Sequence, residues 1–174
     1  MRYDASATLW SLLVAAGSMA LLGTGGWLWW IVSGFGDRGT VFLKSVVLGT
    51  LFSLLVWLVW LLVVYALLQR LAGVTVQIDQ LLRAAGFATV PLALGVFMVV
   101  PAISFGIGLL ALGGWLLATQ TAIERASGAS TGTVMLANLA GFATWVVIMS
   151  LLSSGSNQLA PGPFLAEAIW DFAL

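Results

Sequence analysis

The chain contains neither cysteine nor histidine. Without cysteine there can be no disulfide, no thiol nucleophile and no thiolate metal site. Without histidine the commonest general base and the commonest transition-metal or haem ligand are missing. Charge is also scarce. Six basic and six acidic residues make up 7% of the 174 positions, against about a quarter in an average soluble domain. They cancel to a net charge of zero. No basic cluster offers a footprint for phosphate, so the composition argues against a nucleic-acid partner.

What fills the chain instead is apolar. Hydrophobic residues make up 61% of it, with nine tryptophans and 20 glycines. Residues 5–36, 45–69, 84–123 and 126–166 contain no Asp, Glu, Lys or Arg. About 20 apolar residues in a helix cross the roughly 30 Å hydrocarbon core of a bilayer. The pattern predicts an all-α polytopic integral membrane protein with five transmembrane helices in a bundle. The expected spans are 7–32, 40–69, 84–100, 102–122 and 131–152, in one domain over 1–152. The first is too long for a secretory signal and reads as a retained helix. Pro101 divides the 40-residue run 84–123, because proline disfavours helix at the residue before it. Residues 153–174 read as an external tail. A short amphipathic helix there would put Leu165, Ala168, Ile169 and Phe172 on one face, either on the membrane surface or against a partner. Residues 75–83 suggest a similar surface helix.

Five crossings place the termini on opposite sides. Arg2, Arg70, Arg83 and Arg125 fall on the N-terminal side, and Arg38 and Lys44 on the other. That asymmetry predicts a cytoplasmic N-terminus and an external C-terminus. Trp27, Trp29, Trp30 and Tyr65 suit the interfacial aromatic belts.

Helices in lipid associate through close packing of small residues. Pairs four apart are Ala16 and Ala20, Gly49 and Ser53, Ala102 and Gly106, Gly114 and Ala118, and Ala137 and Gly141. Gln120 and Asn138 are the most polar groups within the spans. They read first as interhelical hydrogen bonds, with a solute site as the alternative. Pro91 should kink the third helix, for packing or to open a cavity. Trp57, Trp115 and Trp145 fall nearer mid-span than a belt would place them. They read first as packed rings and second as the lining of a groove for a lipid, quinone or pigment. No cofactor is required by the sequence.

Three motif matches lack their chemistry. Gly34-Phe35-Gly36-Asp37-Arg38-Gly39 fits GxGxxG but joins two membrane helices instead of a strand and a helix. Tyr3-Asp4 with Gly34-Phe35-Gly36-Asp37 imitates an intramembrane aspartyl protease. A helix between the two aspartates separates them by roughly 40 Å, whereas a dyad shares one proton at about 3 Å. Gly128-Ala129-Ser130-Thr131-Gly132 fits GxSxG without a histidine base. Ser130 and Thr131 suit the cap of the fifth helix better.

The run Leu82-Arg83-Ala84-Ala85-Gly86-Phe87-Ala88-Thr89-Val90-Pro91 resembles the Yip (Ypt-interacting protein) domain family, whose bacterial members carry a Leu-Arg-x-x-Gly-aromatic-Ala-x-x-Pro run opening the third helix. Tyr65 to Gly73 and Glu124 to Ser130 are similar to that family's end of helix two and loop before helix five. Trp115 also falls where the family often has a tryptophan. The long hydrophilic N-terminal region of eukaryotic members is missing here, and Val74 stands where a second glycine is frequent. The resemblance implies five membrane helices, a cytoplasmic N-terminus, no enzymatic activity and, for a chain this compact, a bacterial cytoplasmic membrane. The expected function is non-catalytic contact with membrane lipids and other membrane-protein subunits, as an organiser or accessory subunit. The alternative is a channel or carrier for a small neutral or lipid-like solute, lined by Thr89, Pro91, Gln120 and Asn138.

Overall fold

The computed structural model describes residues 5–34, 38–73 and 76–154. The described residues are almost all helical, and five helices are long and apolar enough to cross a membrane. The first is Ala5–Val32. The second runs without a break through Arg38–Phe42, a π-helical stretch Leu43–Leu48, and Gly49–Ala72. The third joins an α-helical half, Ile78–Phe87, to a 3-10 half, Val90–Val99. The fourth is Pro101–Ser127 and the fifth Thr131–Ser154. Residues 155–174 lie outside the described residues, and with them the expected tail helix.

The surface is apolar where a soluble protein's would be polar. Leu13, Leu55, Leu62, Phe97, Leu110, Leu117, Leu136 and Val147 all face outward and are exposed. A surface of this kind suits contact with hydrocarbon, where large apolar side chains carry no exposure penalty. Around the bundle, main contacts follow the order first, third, fourth, fifth, second, and back to first.

Glycine sets several of those contacts. A Cβ on Gly25 would coincide with the Gly95 carbonyl, and one on Gly95 would run into Leu22. The first and third helices therefore touch backbone to backbone. A Cβ on Gly86 would stand 2.8 Å from the Ser11 side chain at the other end of the same interface. Gly23 meets the second helix in the same way, 2.7 Å from the Ser45 carbonyl. The Ser45 hydroxyl donates to the Gly23 carbonyl at 2.8 Å. Of the small-residue pairs named above, Gly49 with Ser53 and Ala137 with Gly141 face inward, Gly141 against Trp60, and Gly114 meets Pro91 at 3.1 Å. Ala102 and Gly106 face outward, contrary to the sequence expectation. The buried row of the fourth helix is instead Ser104, Gly108, Ala111, Trp115 and Thr119, and a spacing of four cannot tell one row from its neighbour.

Two departures from α-helix lie at this junction. The π-helical stretch holds Ser45, and the 3-10 half holds Gly95. A 3-10 helix has three residues per turn, so residues three apart stack in a straight row. Leu92, Gly95 and Met98 accordingly form one buried row, while Leu94, Phe97 and Val100 form an exposed one. Pro91 and Pro101 bracket this segment. Pro91 thus opens a change of helix type, where a kink in a continuous α-helix was expected.

The third helix also begins at Ile78, earlier than position 84, so the expected surface helix over 75–83 is largely the start of a long helix. Asp79 and Arg83 looked like a polar boundary in the sequence. One turn apart, they pair at 3.0 Å and neutralise each other. Leu81, Ala85 and Gly86 bury the opposite face. The fourth helix continues past 122 to Ser127 and stops at Gly128, whose positive φ of 64° ends the helix.

Replacing Gly25 by leucine drives a side chain into the Gly95 backbone. Thermal unfolding in detergent should show a loss of at least about 3 kcal/mol, the upper range for an overpacked core, or no folded protein. Gly17 faces outward with open space around it, so Gly17→Ala should stay within about 1 kcal/mol of the parent or exceed it.

Candidate functional site

The interior is aromatic where the second, fourth and fifth helices converge. Trp57, Trp60 and Trp115 are fully buried and Trp145 nearly so. The Trp60 and Trp115 rings meet edge to face, with centroids 4.7 Å apart at 64°. Trp115 meets Trp145 at 5.2 Å and 87°. Phe142 closes the group, 5.4 Å from Trp60 and stacked at 12° against Trp145, 6.2 Å away. Edge-to-face contact sets the positive rim of one ring on the negative face of the next. Gly141 admits the Trp60 ring against the backbone of the fifth helix. The large rings bridge a gap between the second and fourth helices, whose backbones scarcely meet.

Sequence reasoning singled out Trp57, Trp115 and Trp145. The structure buries all three and packs Trp115 against Trp145. It adds Trp60 and Phe142, which the sequence reading passed over. Trp60 lies three residues beyond Trp57 and Phe142 three before Trp145, a spacing that keeps each pair near one helix face. The indole N–H groups of Trp57, Trp60, Trp115 and Trp145 are buried without a hydrogen-bond acceptor. The edge-to-face geometry is the arrangement in which a ring face can receive such a group weakly.

One edge of this interior is polar. The Asn138 amide donates to the Leu116 carbonyl at 3.1 Å and to Gln120 Oε1 at 3.3 Å. The Gln120 amide donates in turn to Glu124 Oε1 at 2.7 Å and to the Thr131 carbonyl at 3.4 Å. The chain runs inward from the loop that joins the fourth and fifth helices, and it ties those helices together. Ser130 caps the fifth helix, since its hydroxyl accepts from the Thr133 N–H at 3.4 Å. Asn138 Oδ1 and the Thr119 hydroxyl remain buried without a partner.

Gln120 and Asn138, picked separately from the sequence, are thus brought into direct contact. Pro91 and Thr89 are not brought to them. Pro91 packs on Gly114 between the third and fourth helices. Thr89 is buried and donates back to the Gly86 carbonyl at 2.7 Å. The fourth helix therefore has Pro91 on one interface and Asn138 on another, and the four residues do not line a common path. Asp4 and Asp37 lie outside the described residues.

Comparison with protein-family models, with curated proteins and with solved structures returns no match. The likeness to the Yip domain family therefore rests on the sequence segments alone.

Three substitutions separate ring packing from hydrogen bonding. Trp60→Phe keeps a six-membered ring in the packing and loses the fused five-membered ring with its unpaired N–H, so the equilibrium unfolding free energy should fall by about 1–2 kcal/mol. Trp60→Ala leaves a cavity and should cost about 3–5 kcal/mol. Asn138→Leu, which removes both interhelical bonds of the amide, should cost about 1–2 kcal/mol.

Proposed function

We propose that this is a non-catalytic protein of the bacterial cytoplasmic membrane that works by contact, as a membrane organiser or as an accessory or assembly subunit of a larger membrane complex. Its N-terminus would be cytoplasmic and its C-terminus external, as the distribution of arginines favours. The likeness to the Yip domain family supports the same reading. The observation that carries it is the filled interior. Trp60, Trp115, Phe142 and Trp145 occupy the space between three helices and touch one another. The interactive surface is therefore outside, where rows of large apolar side chains can meet lipid or another subunit. Nucleic acid has no part in this reading, and no cofactor is required.

A second reading, a channel or carrier for a small neutral or lipid-like solute, draws on the unpartnered Asn138 Oδ1 and Thr119 hydroxyl. These atoms would face a solute only if the fourth and fifth helices separated.

Native protein extracted in mild detergent should migrate well above 18.3 kDa, with companion polypeptides in fixed stoichiometry. A clean monomer contradicts the contact role. Proteoliposomes should show no solute flux above that of empty vesicles, whereas a flux abolished by Asn138→Leu supports the carrier.

A further inference from the structure

An open groove of about 440 Å³ lies between the third and fourth helices, lined by Gln80, Arg83, Ala84, Phe87, Ala122, Arg125 and Ala126. It sits at the end of the bundle where the third helix starts and the fourth finishes. Its polarity is graded along the helix axes. On the third helix, Gln80 and Arg83 lie at the outer end, and Phe87 lies about one turn, roughly 6 Å, deeper than Arg83 at about 1.5 Å per residue. On the fourth helix, Ala122 is the deep residue and Arg125 the outer one. The mouth is therefore cationic and the floor apolar.

The charges do not cancel within the groove. Arg83 spends one terminal nitrogen on Asp79 at 3.0 Å and its Nε on the Asp79 carbonyl at 3.3 Å, leaving its other guanidinium N–H groups for a ligand. Arg125 is exposed, and no hydrogen bond or ion pair to it is formed among the described residues. Glu124, the nearest carboxylate in sequence, accepts instead from Gln120. Two guanidiniums facing one carboxylate leave an excess positive charge near the ends of two candidate membrane spans. Phe87, half exposed, offers an apolar ring immediately below.

We propose that this groove binds one anionic phospholipid, with its phosphate between Arg83 and Arg125 and an acyl chain laid along Phe87 and the alanine wall. Guanidinium is the cation best matched to phosphate oxygens, and basic recesses between membrane helices select acidic headgroups. The four alanine and phenylalanine positions would be ordinary lipid-facing residues without the cationic mouth, and the mouth would be a diffuse surface charge without the groove. The site stands apart from the contact role proposed above and can fail or succeed without it.

The test is native mass spectrometry of the full chain released from micelles containing phosphatidylglycerol or phosphatidylcholine with identical acyl chains. Phosphatidylglycerol should be retained about fivefold better, the order expected from one effective surface cation. Arg125→Gln, which leaves the Asp79–Arg83 pair intact, should remove that preference. Ala126→Leu, which fills the groove and keeps every charge, should lower retention to a similar degree. Arg70→Gln, which removes an exposed arginine outside the groove lining, should leave the preference unchanged. Millimolar inorganic phosphate should not displace the lipid. Equal retention of the two lipids overturns the proposal, as does an Arg70→Gln loss equal to that of Arg125→Gln. Displacement of the lipid by inorganic phosphate assigns the cationic mouth to free phosphate and overturns the lipid assignment.

Discussion

Gly25 and Gly95 bring two helix backbones together with no side chain between them. In water, burial of the leucines and phenylalanines of this chain would hold such a bundle together. In hydrocarbon that drive is absent, because lipid tails solvate the same side chains as well as a neighbouring helix does. What remains is dispersion at short range, and it requires close approach. The Gly23-Thr24-Gly25-Gly26 segment supplies that approach on two sides of the first helix. Gly23 takes the Ser45 region of the second helix, and Gly25 takes the third. Both partners depart from α-helix at that point, one as a π-helical stretch and the other as a 3-10 helix. Such departures rotate a helix face locally. Here they bring Ser45, and the row Leu92, Gly95 and Met98, to face inward.

The opposite side of the bundle uses the contrary solution. Small residues would collapse the second, fourth and fifth helices onto one another, whereas the tryptophans hold the second and fourth apart and fill the space with rings. At Gly141 the backbone yields to a ring, that of Trp60. The hydrogen-bonded line from Asn138 through Gln120 to Glu124 then fixes the fourth helix against the fifth near their connecting loop. Three other buried hydroxyls bond within their own helix: Ser11 to the Thr8 carbonyl, Thr89 to the Gly86 carbonyl and Ser104 to the Pro101 carbonyl. They are silent toward neighbouring helices. Rigid packing on both sides leaves chemistry to the periphery, where the arginines and the outward apolar rows lie.

The number of helices and the polar pair Gln120 and Asn138 were legible because charge and amide groups are rare in this chain and therefore conspicuous. The ring cluster was partly legible, since Trp115 and Trp145 stood too deep for an interfacial belt. Trp60 and Phe142 were missed because apolar rings in apolar sequence carry no periodic contrast. Small-residue spacing held for Gly49 with Ser53 and for Ala137 with Gly141, and failed for Ala102 with Gly106. Glycine, alanine and serine recur on every face of these helices, so the spacing marked Ala102 and Gly106, which face outward, and overlooked Gly23, Gly25 and Gly95. Which face turns inward depends on helix rotation. The π-helical and 3-10 stretches change that rotation without a sequence signal other than Pro91 and Pro101. The Asp79–Arg83 pair concealed the start of the third helix for a related reason. Two charges one turn apart look like a loop in sequence and cancel in a helix.

The central claim is that the first and third helices touch backbone to backbone along Ser11–Gly86 and Gly25–Gly95. The absence of cysteine makes this directly measurable, because any introduced pair contains the only thiols. An ideal Cβ on Gly86 falls 2.8 Å from that of Ser11 and 2.8 Å from the Ser11 carbonyl oxygen, about 0.7 Å short of the lower end of the roughly 3.5–4.5 Å that a disulfide spans, so the two helices must part by about that much to admit the bond. Oxidation of a Ser11→Cys, Gly86→Cys variant in native membranes should give rapid, near-complete crosslinking. A Gly17→Cys, Gly86→Cys variant should give almost none, since Gly17 faces away with nothing near it. Equal crosslinking of the two pairs, or none in the first, would contradict the account.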